Sequence, residues 1–402
     1  MRASAFLYPW DVIGDPDAAR RIADLGVEQA TLASAYHSTR ALTPRHPAHR
    51  VVTALHSAVL YTPSERRWCD RELRPYRHRW SPAADAWGEA ATALADAGLE
   101  VHSWVVLAHN SRLGEEFPRI CVRNAYGDRY PWAPCIAQPE VLRYAVELAA
   151  EAASRPGAAG TELESCGWYG LAHLHAHDKT AGVALGGAAQ YLMSVCFCDS
   201  CRAGYAGLGA DPDELSGAIR TALAPVWAGE RTAGPEACDR DGEWDEVVGL
   251  LGPDRAALTM AWRGGVAREF QRATVAAVRA EAPPDFQVLL HADPAAHRCG
   301  ANAGVDPEDV LAHADGLILP STGDETERAA VWRPFAERSE RWPGAVLAAN
   351  LTVVAGMGGS PGTLAADAAH AAALGAGQLR LYHAGLASDT DLSAVRDALA
   401  RL

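Results

Sequence analysis

Short apolar runs punctuate the chain at residues 4–10, 29–35, 101–108, 161–165, 286–291, 316–320, 346–351 and 378–383. Each is too short for a stable helix and is bounded by polar or turn-forming residues, so each reads as a buried strand. Between most of them, apolar positions recur at helical spacing in alanine-rich stretches, at 17–25, 83–97, 140–153, 256–280, 307–314 and 363–374. Three of these helices run into a glycine just before the next strand, at Gly26, Gly98 and Gly375. Glycine is the residue that most easily turns a chain out of a helix. Alternating strands and helices imply a parallel sheet, and eight such units imply closure on themselves. An open, doubly wound sheet is the alternative, but no glycine-rich phosphate loop follows the first strand. The expected fold is α/β, a (β/α)8 TIM barrel formed by residues 1–402.

Three connections are long. Residues 36–82 contain a further strand-like stretch at 51–60 and an Arg/Trp-rich segment. Residues 109–139 are rich in proline, glycine and aromatics. Residues 166–255 are long enough for a small helical insertion after the fourth strand, and they carry a cysteine cluster. Residues 228–242, rich in Gly, Arg and Asp, read as an exposed loop. The long βα-loops therefore follow strands 2, 3 and 4.

Composition narrows the partners. The chain is 49% hydrophobic and 21% charged, which supports a large core. A net charge of −14 repels nucleic acid and anionic membrane, so neither is expected as a partner. No apolar run approaches the ~20 residues of a membrane span, and the start lacks a signal-like apolar stretch. A cytoplasmic protein is expected, and the sequence leaves a homo-oligomer open. Nine cysteines in such a chain favour free thiols or metal ligands over a disulfide framework.

Barrel active sites lie at the C-terminal ends of the strands, so strand endings are where chemistry is sought. In order, the endings offer Trp10, Tyr36 and His37, His109 and Asn110, Glu162 and Glu164, His291 and Asp293, Asp324, Asn350, and Tyr382 with His383. Carboxylates, imidazoles and aromatics converging on one mouth suit a polar ligand. Glu162 and Glu164 stand two apart on one strand and so point the same way. Glu164 is nearer the mouth and is the expected catalytic acid, with Asp293 or Asp324 as the second carboxylate. Trp10, Trp104, Trp132, Trp168, Tyr36, Tyr61 and Tyr382 offer ring faces on which sugar C–H faces stack, although core packing explains such residues equally well. Beyond the fourth strand, His173, His175 and His177 alternate with small residues and are candidate ligand contacts. Lys179 is the only lysine of the chain, and its loop shows no apolar pocket of the kind Schiff-base chemistry needs.

The thiols are the tightest motif. Cys196, Cys198 and Cys201 form a Cys-x-Cys-x-x-Cys turn, which supplies three soft ligands for a structural zinc. Cys135 is the preferred fourth ligand, ahead of Cys121 and Cys166, because it opens the helix that leads to the fourth strand.

Glu164 followed by Cys196-Phe-Cys-Asp-Ser-Cys201, with Pro134-Cys135 upstream, resembles the glycoside hydrolase family 42 β-galactosidases and related barrel hydrolases. Residues 122–128 and 381–386 are similar to those of uncharacterised actinobacterial hydrolase-like barrels. The resemblance implies a strand-4 glutamate as acid/base and a zinc held by the cluster with one upstream cysteine. Three features depart from it. Leu163 stands where the family has asparagine before the acid/base, Asn350 stands where it has its nucleophilic glutamate, and the cluster follows the glutamate at a greater distance.

The expected function is thus a glycoside hydrolase on a small-molecule or oligosaccharide substrate. Two alternatives stand beside it. One is a sugar-binding barrel without turnover, in keeping with Asn350. The other is a divalent-metal sugar isomerase or epimerase, with Glu164, His291, Asp293 and His383 as ligands.

Overall fold

The computed structural model describes residues 1–171, 178–180, 182–230, 240, 242–336 and 341–402. Its frame is eight parallel strands: β1 (Arg2–Leu7), β2 (Gln29–Tyr36), β3 (Glu100–Val106), β4 (Gly160–Glu164), β5 (Gln287–Asp293), β6 (Gly316–Pro320), β7 (Val346–Thr352) and β8 (Gln378–Tyr382). Each pairs with the next in order, and β1 also pairs with β8, so the sheet closes. The chain is a (β/α)8 barrel, as its periodicity predicts. The strands are buried on both faces, which is why they read as continuous apolar runs.

Helices cover the outside. Among them are α1 (Ala86–Asp96), α2 (Pro139–Ala153), α3 (Pro253–Glu281) and α4 (Glu325–Ala336). Local chemistry sets their starts. Asp85 caps α1 by accepting the Gly88 amide, and Pro139 and Pro253 occupy the first turns of α2 and α3. α4 and a last helix, Asp389–Leu399, are additions to the expected set. The α4 face is interrupted by arginines and Pro334, which blurs its apolar period.

Several boundaries move. The first strand ends at Leu7 because Pro9 opens a helical turn, Pro9–Val12. The strand expected at 51–60 is two pieces. Val51–Ala54 forms a hairpin with Thr39–Leu42, and Ala58–Val59 runs antiparallel to the end of β2. After β3, Cys121–Arg123 pairs with Arg129–Pro134. After β4 come four helices, Gly187–Met193, Asp199–Gly207, Pro212–Trp227 and Glu243–Leu251.

The barrel interior changes character along its axis. Leu289, Ile318 and Ala348 form an apolar layer. Next lies a charged layer in which Arg380 Nε donates to Glu162 Oε1 at 2.6 Å, with both side chains at 0% exposure. β4 and β8 are not neighbours, so this ion pair spans the interior. Phe6, Tyr8, Trp10, Tyr36 and Trp104 pack together at the mouth.

Candidate active site

Glu164 ends β4 and is 3% exposed. Its Oε2 accepts from Trp104 Nε1 at 2.9 Å and from the Tyr382 hydroxyl at 3.3 Å. These donors come from β3 and β8, so the carboxyl is held across the mouth. Trp104 packs edge-on against Tyr36 and Phe6, with ring centroids 4.7 and 4.8 Å apart. Behind it, Tyr8 OH lies 2.9 Å from both Tyr36 OH and His383 Nδ1. Burial, and the charge of His37, push His383 down to about 3, so this imidazole is neutral at ordinary pH. The Tyr36, Tyr169 and Tyr382 hydroxyls are pushed up by burial and by the Glu164 charge. Among the described residues no arginine or lysine forms an ion pair with Glu164.

Glu162, two residues earlier, has the opposite surroundings. It accepts from Arg380 and, at 3.2 Å, from Thr31 Oγ1. His291 Nε2 and His102 Nδ1 lie 3.6 and 3.9 Å away, too far for direct hydrogen bonds. Burial pushes Glu162 up, but Arg380 and the two imidazoles outweigh it and hold the carboxyl down at about 2. One strand thus carries one carboxylate locked in an ion pair and one offered to the mouth.

Backbone strain marks the same place. Among the described residues, the non-glycine positions with positive φ are Ser165 (54°) and His383 (62°). They directly follow Glu164 and Tyr382, the hydrogen-bonded pair. Each such conformation costs on the order of 1–3 kcal/mol and persists only where surrounding structure imposes it.

The other expected site residues divide. Trp10 and Tyr36 stay at the mouth. His37 packs over Tyr36 at 4.1 Å, and its edge meets His109 at 5.1 Å. His109 stacks on Tyr169. Asn350 is 7% exposed, and its Oδ1 has no hydrogen-bond partner.

Others are drawn elsewhere. Glu162 and His291 lie below the mouth in the charged layer. Trp168 donates to the Arg263 carbonyl and lies under its guanidinium, against α3 rather than the mouth. Asn110 caps the helix Ser111–Glu116 by accepting the Leu113 amide. Asp324 is exposed and accepts the Thr326 and Glu327 amides at the start of α4, so its carboxylate is spent on a helix end. Asp293, by contrast, stays on the strand beside Glu164, two positions further along, where it accepts the Ala295 amide at 2.8 Å and pairs with Arg240. His173, His175 and His177 lie outside the described residues. The isomerase set also fails to gather. His291 faces Glu162, His383 faces Tyr8, Asp293 faces Arg240 and Glu164 faces Trp104.

Sequence reasoning missed Tyr169 at this mouth and Arg380 in the charged layer beneath it. Arg380 was detectable as a charge inside an apolar strand. Asp11 accepts the Tyr8 amide at 2.8 Å and is pushed up to about 7 by burial, against the pull of that bond and of Arg45.

The four thiols of Cys135, Cys196, Cys198 and Cys201 are buried and lie within 4.8 Å of one another. Cys135 Sγ is 3.6 Å from Cys198 Sγ and 3.7 Å from Cys201 Sγ. A tetrahedral zinc with ~2.3 Å bonds sets sulfur–sulfur edges of about 3.8 Å. The Arg123 and Cys198 amides donate to Cys196 Sγ, which stabilises negative charge on that sulfur. The site fits a metal. Cys121 and Cys166 bond instead to the Gly114 carbonyl and to Thr274 Oγ1.

No family model matches the chain, and no curated protein matches it. Solved structures do, in fold. An α-L-fucosidase isoenzyme 2 from Paenibacillus thiaminolyticus has a TM-score of 0.58 at 12% identity, over 100% of this chain and 49% of that one. A β-galactosidase from Bacillus circulans sp. alkalophilus has 0.58 at 11%, over 100% and 56%. The catalytic domain of a β-amylase from Paenibacillus polymyxa has 0.56 at 12%, over 100% and 98%. A family 42 β-galactosidase also matches, with a TM-score of 0.55. The chain spans about half the length of the fucosidase. The likeness is one of fold, the (β/α)8 barrel.

Proposed function

We propose that this barrel is a carbohydrate-active glycoside hydrolase, with Glu164 as its general acid/base and Asp293 as the second carboxylate. The carrying observation is the contrast between Glu162, neutralised by Arg380, and Glu164, which meets only an indole and a phenol donor. A buried carboxyl without a cationic partner is the one suited to hold a proton for a leaving group.

In this reading the Glu164 carboxyl protonates the glycosidic oxygen as the bond to the anomeric carbon breaks. Trp104 and Tyr382 fix the carboxyl plane. β5 pairs with β4 so that Leu289 stands opposite Glu162, which sets Asp293 above Glu164 on the next strand. There it attacks the anomeric carbon or takes a proton from water. Arg240 and the Ala295 amide orient it. Tyr382, part-exposed at the mouth, offers a face for a sugar ring. Zinc in the four-cysteine site ties the hairpin 121–134 to the helix Asp199–Gly207, away from the reaction.

The test is turnover of nitrophenyl glycosides by wild type, Glu164→Gln and Asp293→Asn. Losing one acid/base group costs about 10²- to 10⁴-fold in kcat. Unchanged turnover in Glu164→Gln rejects the assignment. Asn350 favours a second reading, a sugar-binding barrel, since an amide cannot act as a nucleophilic carboxylate. Saturable sugar binding with no turnover in wild type selects it.

A further inference from the structure

The insertion after β2 forms a cleft beside the mouth that the reaction above does not use. It has room for about 50 Å³ and is lined by Trp10, Tyr36, His37, His78, Arg79 and Trp80. Tyr36 and His37 belong to the aromatic wall near Glu164, so the cleft continues the candidate active site outward. Trp80 meets Trp10 edge to face at 5.4 Å. The indole nitrogens of Trp10 and Trp80 and both ring nitrogens of His78 are buried without a hydrogen-bond partner. Trp10 is 0% exposed and His78 5%. Unmet polar atoms at such sites are uncommon and call for a partner.

His78 and Arg79 also line a neighbouring recess with Tyr76, Arg77 and Arg112. Six arginines fall between residues 66 and 79 of a chain with net charge −14. Arg67 and Arg71 are neutralised by Glu147, and Arg74 donates to main-chain carbonyls. Arg112 is matched by Glu116. Arg77 and Arg79 are exposed and form no ion pair among the described residues. These two guanidiniums beside the part-exposed Trp80 combine a fork for a planar anion with a platform for a sugar ring.

We propose that this open recess of about 600 Å³, with the small cleft behind it, is a subsite for an anionic sugar, with the ring laid against the part-exposed Trp80, hydroxyls met by His78, and a carboxylate or sulfate held by Arg77 and Arg79. This rests on the mouth being a carbohydrate site, and it narrows the substrate class to acidic glycans. Burial and the Arg77 charge push His78 down, so its imidazole is neutral and presents both a donor and an acceptor.

The experiment is calorimetric titration of the full chain with a galacturonate trisaccharide, a sulfated galactotriose and plain galactotriose. Turnover of each glycan is followed in parallel in wild type and Glu164→Gln. At least one charged glycan is expected to bind roughly ten- to hundredfold more tightly than the neutral one. That advantage is expected to vanish in Arg77→Ala/Arg79→Ala, both surface positions. Preference for galacturonate over sulfate, or the reverse, assigns the anion. Trp80→Ala weakens all three. Equal binding of charged and neutral glycans, or an advantage that survives the double variant, overturns the proposal. Charge-selective binding without turnover keeps the subsite and rejects the hydrolase. Glu164-dependent turnover of the neutral glycan without charge preference keeps the hydrolase and rejects the subsite. No binding of any glycan rejects both.

Discussion

Glu162 and Glu164 share a strand and a side, and one layer of barrel separates their chemistry. Arg380, with the His102 and His291 imidazoles, makes the difference. Removing it leaves Glu162 charged and buried, so Arg380→Met is expected to destabilise the fold by about 3–5 kcal/mol in denaturant titration. Glu164→Gln keeps its Trp104 and Tyr382 contacts and is expected to leave stability within about 1 kcal/mol while abolishing turnover. The two carboxyls thus separate stability from activity. Asp11 titrates in a third way. Its folded value of about 7 lies above the ordinary 3.8, so the folded state binds the extra proton between those limits. Stability contributed by this group is therefore present below about pH 4 and is lost as pH rises through 7. Asp11→Asn is expected to flatten that part of a stability–pH curve. An unchanged slope would exclude the assignment.

Among the elements, the Cys-x-Cys-x-x-Cys turn and the hairpin 121–134 depend on each other through four buried thiols. With zinc, those sulfurs become one cross-link between segments about sixty residues apart in the chain. One zinc per chain is expected by elemental analysis, lost in Cys198→Ala together with several degrees of melting temperature. Retention of stoichiometric zinc in that variant would remove the cluster from consideration. Asp324 belongs to this scale as well. It starts α4, and Asp324→Ala is expected to cost about 1 kcal/mol of stability with turnover unchanged.

In the whole molecule, the charged layer makes stability depend on acid. Glu162 is held near 2 against an ordinary 4.5, so its contribution is present above 4.5 and is lost as pH falls toward 2. That amounts to about 3 kcal/mol, readable as a falling denaturation midpoint between those pH values. Glu162→Gln removes this dependence along with the stability. Barrel closure also explains which strand endings became a site. Trp104, Glu164 and Tyr382 come from strands 3, 4 and 8 and meet only because the sheet curls round. Trp168 and Asp324 left the mouth because backbone and helix-end groups nearer in space claimed them.

Local pattern alone determined the barrel, its strand starts and its helix ends. Apolar period, proline at first turns and glycine after last turns each act within a few residues. The sequence also placed the thiols within reach of a fourth, and it marked Glu164 as the outer of two carboxyls. It did not reveal that the partner of Glu162 lies 218 residues away on β8, or that Asn110 and Asp324 serve helix ends. Nor did it show that Arg77 and His78 flank the aromatic mouth. Those contacts depend on how eight tilted strands stagger as they close. That stagger is a property of the whole ring, so the tertiary structure alone decided which polar side chains are paired and which are left to meet a ligand.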